Sequence, residues 1–258
     1  MISKFLVTGD THGFFTDRIN NIKNAGYELE ETALIVLGDS GTLYYGKKDY
    51  DLKVKLQKSG IIFYMLHGNH ERRATEIKNI IEEYDGEVNN NIYYEADFPN
   101  IRYLIDGEIY NFGGYTCLAL GGAYSIDKYY RLSRGWNWFE SEQLTAEEMK
   151  AISANVEGLC VNFVLSHTCP YSWMPTDLFL SSINQSTVDN TMEHWMDSLK
   201  NTFEWDAWLF AHYHDDRLVR PGVEMFYNSF DDIKDIWYRH LTANYTFMKK
   251  DPKFYMEG

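Results

Sequence analysis

Three short apolar runs near the start of this chain each end in a glycine-containing polar loop. Phe5-Leu6-Val7 leads to Gly9-Asp10-Thr11-His12-Gly13, Ala33 to Leu37 leads to Gly38-Asp39-Ser40-Gly41, and Ile61 to Leu66 leads to His67-Gly68-Asn69-His70-Glu71. Polar segments of helical length separate the runs, which is the pattern of successive α/β units. Thr16 is placed to cap a helix running through Arg18 to Asn24 and stopping at Gly26, and a second helix is expected from Arg72 to Ile81.

From about Asn91 to Ala123 the helical pattern stops. Ile92-Tyr93-Tyr94, Ile101 to Leu104, Glu108 to Phe112 and Tyr115 to Leu120 are separated by turn residues, as in antiparallel strands of a second sheet. Two later runs, Val161 to Ser166 and Asp206 to Ala211, are each followed directly by histidine. Between them Tyr171 to Trp205 is polar, with a helix expected from Thr191 to Phe203. Loops at the carboxyl ends of strands in open α/β sheets converge on one edge, so polar residues distant in sequence can meet there. No repeat or linker divides the 258 residues, and one domain, 1–258, is expected.

Charge narrows the partners. Lys and Arg total 24 against 38 Asp and Glu, a formal charge of −14, and two divalent cations would bring this only to about −10. Long nucleic acid is thereby disfavoured, whereas a small phosphorylated molecule can still enter a locally positive pocket. Cys117, Cys160 and Cys169 form no CxxC pair, no run suits a membrane span, and the first residues do not read as a signal peptide, so a soluble, cytoplasmic protein is expected.

The strand ends carry Asp10-x-His12, Gly38-Asp39, Gly68-Asn69-His70-Glu71, a lone His167 and His212-x-His214, in that order. Alone, each has an ordinary reading: a loop, a turn, a helix start with Asn69 as N-cap, a solvated pair. Together they supply carboxylate, imidazole and amide oxygen, the ligands hard or borderline divalent metals take, and one bridging carboxylate can hold two ions about 3.5 to 4 Å apart. The set resembles the calcineurin-like metallophosphoesterase superfamily over residues 5–214, with bacterial Ser/Thr phosphatase-like members nearest in character. The resemblance implies a four-layer α-β-β-α sandwich of two mixed sheets with a dinuclear site at the strand ends. By it, Asp10, His12 and His214 bind one metal, Asn69, His167 and His212 the other, and Asp39 bridges. The ions would be two of Mn, Fe, Zn, Ni or Co, with manganese favoured. A metal-bridging hydroxide would attack phosphorus, Asn69 would help stabilise the phosphoryl oxygens, and His70 would not bind metal but would assist the leaving oxygen. One departure stands out: Ala211 occupies the place of a usual glycine and would constrain the loop if its φ were positive.

Arg72, directly after the Gly-Asn-His-Glu motif, is either a phosphate-gripping residue, as in the Ser/Thr phosphatase branch, or a solvated residue of the next turn. The segment from Gly121 through Arg131, Arg134, Trp136 and Trp138 offers guanidinium groups beside aromatic rings, and is either a substrate-contacting loop or a loop packed by its tryptophans. The function expected is metal-dependent hydrolysis of a phosphomonoester, on a phosphoprotein or a small metabolite. The alternatives are a phosphodiesterase acting on nucleotides and a non-catalytic protein-binding scaffold.

Overall fold

A computed structural model describes residues 2–242 in full and the backbone through residue 250. Strands β1 (Lys4–Thr8), β2 (Thr32–Val36), β3 (Ile62–Met65), β4 (Ile81–Asp85), β5 (Asn90–Tyr94) and β6 (Ile101–Tyr103) build one sheet. The second holds β7 (Ile109–Phe112), β8 (Tyr115–Leu120), β9 (Cys160–Ser166), β10 (Glu204–Phe210), β11 (Arg217–Arg220) and β12 (Val223–Met225), after which β13 (Phe230–Asp232) returns to the first. The orders are β13-β1-β2-β3-β6-β5-β4 and β11-β12-β10-β9-β8-β7. Parallel pairing joins β1, β2, β3 and β6 in the first and β8, β9, β10 and β12 in the second, with antiparallel strands at the margins, so both sheets are mixed.

Strand alternation assigns the layers. Phe5, Val7, Ala33, Ile35, Leu37, Tyr64 and Leu66 of the first sheet meet Phe112, Cys117, Ala119, Phe163, Leu165, Ala207 and Leu209 of the second in a core between the sheets. The intervening residues face outward. Leu6, Leu34, Val36 and Phe63 pack with Ile22 of α1 (Thr16–Asn24) and Leu56 of α2 (Asp49–Lys58). Across the molecule Leu118, Val164, Trp208 and Phe210 pack with α4 (Ala146–Val156) and α5 (Thr191–Leu199). The result is the expected α-β-β-α sandwich. The short α3 (Lys128–Ser133) lies beside the strand-end loops, and α6 (Ile233–Lys250) inserts Ile233 and Ile236 into the central core. A reciprocal cap starts α4: Thr145 Oγ1 accepts from the Glu148 N–H at 3.2 Å, and Glu148 Oε2 accepts from the Thr145 N–H at 2.7 Å.

Four expectations are corrected. Thr16 does not cap α1 but is its first residue, with Phe15 at the N-cap and no side-chain cap bond. No helix spans Arg72 to Ile81, which holds a single 3-10 turn at Ala74–Glu76 before β4. Arg73 fixes this path by donating to the carbonyls of Ser141 and Gln143 and pairing with Glu148, and β4 pairs along its length with β5. The strands after Asn91 do not share one sheet, because β5 and β6 extend the first and β7 and β8 begin the second. The helix from Thr191 ends at Leu199, short of Phe203.

Candidate metal centre

The carboxyl ends of β1, β2, β3, β9 and β10 reach one edge of the sandwich, and their loops are tied across both sheets. Asp39 O accepts from the N–H groups of Thr11 and His12 at 3.2 and 2.8 Å, and the His212 N–H donates to Asp10 Oδ1 at 3.1 Å. Arg18, buried, donates to Asp10 O and Thr8 Oγ1 and also reaches Tyr227 O, locking the end of β1 to the loop after β12. Two glycines allow this crowding. Gly38 has φ +95°, and a Cβ there would overlap the His167 ring; a Cβ at Gly68 would overlap Asp39 N and Oδ1.

The structure brings Asp10, His12, Asp39, Asn69, His167, His212 and His214 into one cluster. Asp10, His12 and His214 present ligand atoms that all lie within 4.8 Å of one another, as do His12, Asp39 and His70. On the other side, Asn69 Oδ1 is 2.8 Å from His167 Nε2 and 3.1 Å from His212 Nδ1. The two oxygens of Asp39 face the two groups: Oδ1 is 3.7 Å from His167 Nε2, and Oδ2 is 3.9 Å from His12 Nδ1.

Hydrogen-bond partners show what these atoms want. Leu37 O lies 2.7 Å from His167 Nδ1, and a carbonyl only accepts, so Nδ1 carries hydrogen and Nε2 turns a lone pair inward. Asn69 donates its amide N–H to Ser125 Oγ at 2.9 Å, which aims its carbonyl oxygen at the same point. His12 Nε2 and His214 Nε2 stand 3.0 Å apart. Buried Asp10 Oδ2 sits 2.9 Å from His214 Nε2 yet forms no aligned hydrogen bond. Convergent lone pairs around an unsatisfied buried carboxylate fit divalent cations, so the residues present suit the metals.

Burial and mutual charge shift the titration of these groups in both directions. Burial pushes the Asp10 carboxyl up, but the adjacent His214 ring, with His167 and His12, outweighs it and holds the group below the usual carboxylate range. Burial and the Asp10 charge push Asp39 well up. Burial lowers His12, and burial with His167 lowers His212 to about 3. The contact with Asp10 raises His214. The lowered Asp10, His12 and His212 are in the donor states a cation requires, whereas the raised Asp39 and His214 would each release a proton on binding one. The backbone is also strained here: His12, Asp39, His212 and His214 have φ of 46°, 50°, 69° and 57°, each disfavoured by on the order of 1 kcal/mol. Ala211 is buried and has no positive φ, so the methyl that replaces the usual glycine is accommodated.

His70 stands at the mouth. Its N–H donates to Asp39 Oδ1 at 2.7 Å, and its Nε2 is 3.8 Å from Asp127 Oδ1. Burial, then the charge of Arg131, lowers its pKa to about 2. Arg131 is only 1% exposed; its Nε lies 3.4 Å from Asp127 Oδ1, and neither Nε nor Nη1 has a hydrogen-bond partner. A cavity of about 560 Å³ opens here, lined by His12, His70, Arg131, Trp136, Tyr44 and Lys48 among others.

The remaining residues named from sequence lie elsewhere. Arg72 is exposed, 5.5 Å over the Phe139 ring, and lines a separate cavity. Arg134 is exposed over Tyr130, and Trp138 packs under Lys128, whose Nζ is 3.8 Å from its ring centre. Sequence reasoning missed Arg18, Lys48, Asp127 and Glu71 as parts of the site. Glu71 accepts from Ser40 Oγ and the Gly68 N–H, bracing two loops, and its place in Gly-Asn-His-Glu was the signal available. Asp127 lies within the candidate loop segment from Gly121 but had no role assigned there, and nothing local marked Arg18 or Lys48.

No curated protein matches the chain. The family model described as calcineurin-like phosphoesterase matches residues 3–216, covering the cluster and strands β1 to β10. The chain therefore belongs to the calcineurin-like phosphoesterase family, whose members hydrolyse phosphoesters with bound metal ions.

Proposed function

We propose that this protein, acting as a single domain, hydrolyses a phosphomonoester. The observation that carries this reading is Arg131, a guanidinium 1% exposed with two unpartnered nitrogens, in the cavity it shares with His12 and His70. A buried cation without a full complement of acceptors is unfavourable alone and favourable once an anion fills the gap. A monoester near neutral pH carries close to two charges and three free oxygens, which suits it better than a diester.

In this reading Asp10, His12 and His214 would hold one cation and Asn69, His167 and His212 the other, with Asp39 shared. Such ions, manganese foremost, would supply Lewis-acid polarisation of the phosphoryl group and activation of water. Arg131 grips phosphoryl oxygens. His70 assists the leaving oxygen from the mouth of the cluster, and Asp127, 3.8 Å from its Nε2, orients its ring. Trp136, exposed at the rim, flanks the substrate. The cytoplasm is the proposed compartment, since Cys117, Cys160 and Cys169 are all free. No helix among the described residues is long and apolar enough to cross a membrane.

The test is kcat/KM of the manganese-reconstituted protein on an aryl phosphomonoester and its matched diester, with and without chelator. Preference for the monoester that chelation abolishes is expected. Preference for the diester would move the reading to the phosphodiesterase.

A further inference from the structure

A second cavity, of about 500 Å³, opens on the other side of the same cluster, against Asn69, His70, His212 and His214. Its character is opposite to that of the first. Asp127 lines both, but the first contains Lys48 and Arg131, whereas among the described residues no Lys or Arg lines the second, where Asp189 and Glu193 stand instead. The far wall is apolar: Met174, Leu178, Phe179, Leu180 and Val188. These side chains come from a segment of short 3-10 turns between β9 and α5, and the wall is anchored from outside, since Arg217 pairs with Asp177 through both carboxylate oxygens at 3.0 and 3.2 Å. Leu180 and Ile126, which also line this cavity, are exposed among the described residues.

Glu193, on α5, is one of the polar groups of this lining. Glu193 is 3% exposed; Thr168 donates its hydroxyl to Oε1 at 2.7 Å, and Oε2 has no partner. A buried carboxylate oxygen left without a donor is unfavourable unless a ligand supplies one. Cavities of this size, with an apolar wall and a few fixed polar groups, are the usual form of a small-molecule site.

Resting on the phosphomonoester reading, we infer that the alcohol portion of the substrate is an uncharged, aromatic-sized apolar body bearing a hydrogen-bond donor, seated in this cavity with the donor on Glu193. His70 lines both cavities, so the scissile ester oxygen lies between a phosphoryl group facing Arg131 and a leaving group facing Phe179. A leaving group carrying a second anion is disfavoured by the acidic residues of the wall.

The experiment measures kcat/KM of the metal-loaded protein on four esters of primary alcohols, matched at the reacting carbon: ethyl phosphate, phenethyl phosphate, tryptophol phosphate and N-methyltryptophol phosphate. Phenethyl phosphate is expected to exceed ethyl phosphate by roughly 10- to 100-fold, the usual return on burying a ring. Tryptophol phosphate is expected to exceed its N-methyl analogue by about tenfold or more. Glu193→Gln keeps an acceptor for Thr168 but presents an amide donor to the cavity, so it should erase the N–H preference. Phe179→Ala, at a half-buried position, should lower the phenethyl-to-ethyl ratio about tenfold. Chelator-sensitive hydrolysis of all four at equal kcat/KM would overturn the inference and leave the monoester reading standing. Hydrolysis of none would overturn both.

Discussion

Arg131→Met is the perturbation whose consequences follow most directly from the geometry. Nε and Nη1 are free of hydrogen bonds, Nη2 reaches Ser125 Oγ only at 3.5 Å, and the one facing carboxylate, Asp127, is 3.4 Å away. Charge-assisted hydrogen bonds contribute about 1.5 to 3 kcal/mol each, so losing the guanidinium from the transition state should cost about 2 to 4 kcal/mol, a fall in kcat/KM of roughly 30- to 1,000-fold on a phosphomonoester. A diester offers less charge and fewer free oxygens, and its loss should be about tenfold smaller. Because the substitution removes an incompletely paired buried cation, the metal-loaded protein should keep its Tm or gain slightly. The assay is steady-state kinetics on matched aryl esters, with metal content and Tm recorded for each preparation. Arg134→Ala is the internal control: that side chain is exposed on Tyr130, and less than about twofold change is expected. Equal losses on both esters, or loss of metal with activity, would refute the reasoning and make Arg131 a structural residue.

His70→Ala should retain metal and slow hydrolysis about 100- to 10,000-fold for poor leaving groups, with a smaller effect on an activated aryl phosphate; a uniform loss across leaving groups would contradict leaving-oxygen assistance. Gly38→Ala should destabilise the protein by about 2 kcal/mol or more and impair metal binding, because the new methyl meets His167 at a φ of +95°, and an unchanged melting curve would contradict that crowding. Glu193 gives a pH dependence. Burial raises its folded pKa from the ordinary 4.5 to about 7, so between these values the folded state holds a proton that the unfolded state has released. Stability from this group is complete below about pH 4.5 and falls as pH rises to about 7, by up to roughly 3 kcal/mol. Denaturant titrations of Glu193→Gln across that range should lack this slope; a slope equal to wild type would contradict it.

The convergence of the candidate ligands was legible in the sequence because strand ends advertise themselves: an apolar run such as Ala33 to Leu37 is buried, and the Gly-Asp after it has nowhere to go but the sheet edge. The parts that escaped depend on tertiary partners. Arg73 looked like a residue of a helix and is instead held by carbonyls from around α4, which makes the following stretch extended. Asp127 reaches His70 across 57 positions with no motif to announce it. Arg131 and Arg134 are indistinguishable in sequence, three residues apart on a short helix and its cap, yet one points into the site and the other to solvent. The split of the later strands between two sheets was equally hidden, since β6 and β7 share the same short, alternating texture.

The central claim is that seven residues hold two cations with Asp39 between them and His70 outside. Elemental analysis of wild type, Asp39→Asn and His70→Ala after identical manganese reconstitution tests it most directly. The account predicts two ions per chain in wild type and in His70→Ala, and loss from both sites in Asp39→Asn. Fewer than one ion per chain in wild type under every condition, or an ion lost with His70 and retained without the Asp39 carboxylate, would contradict it.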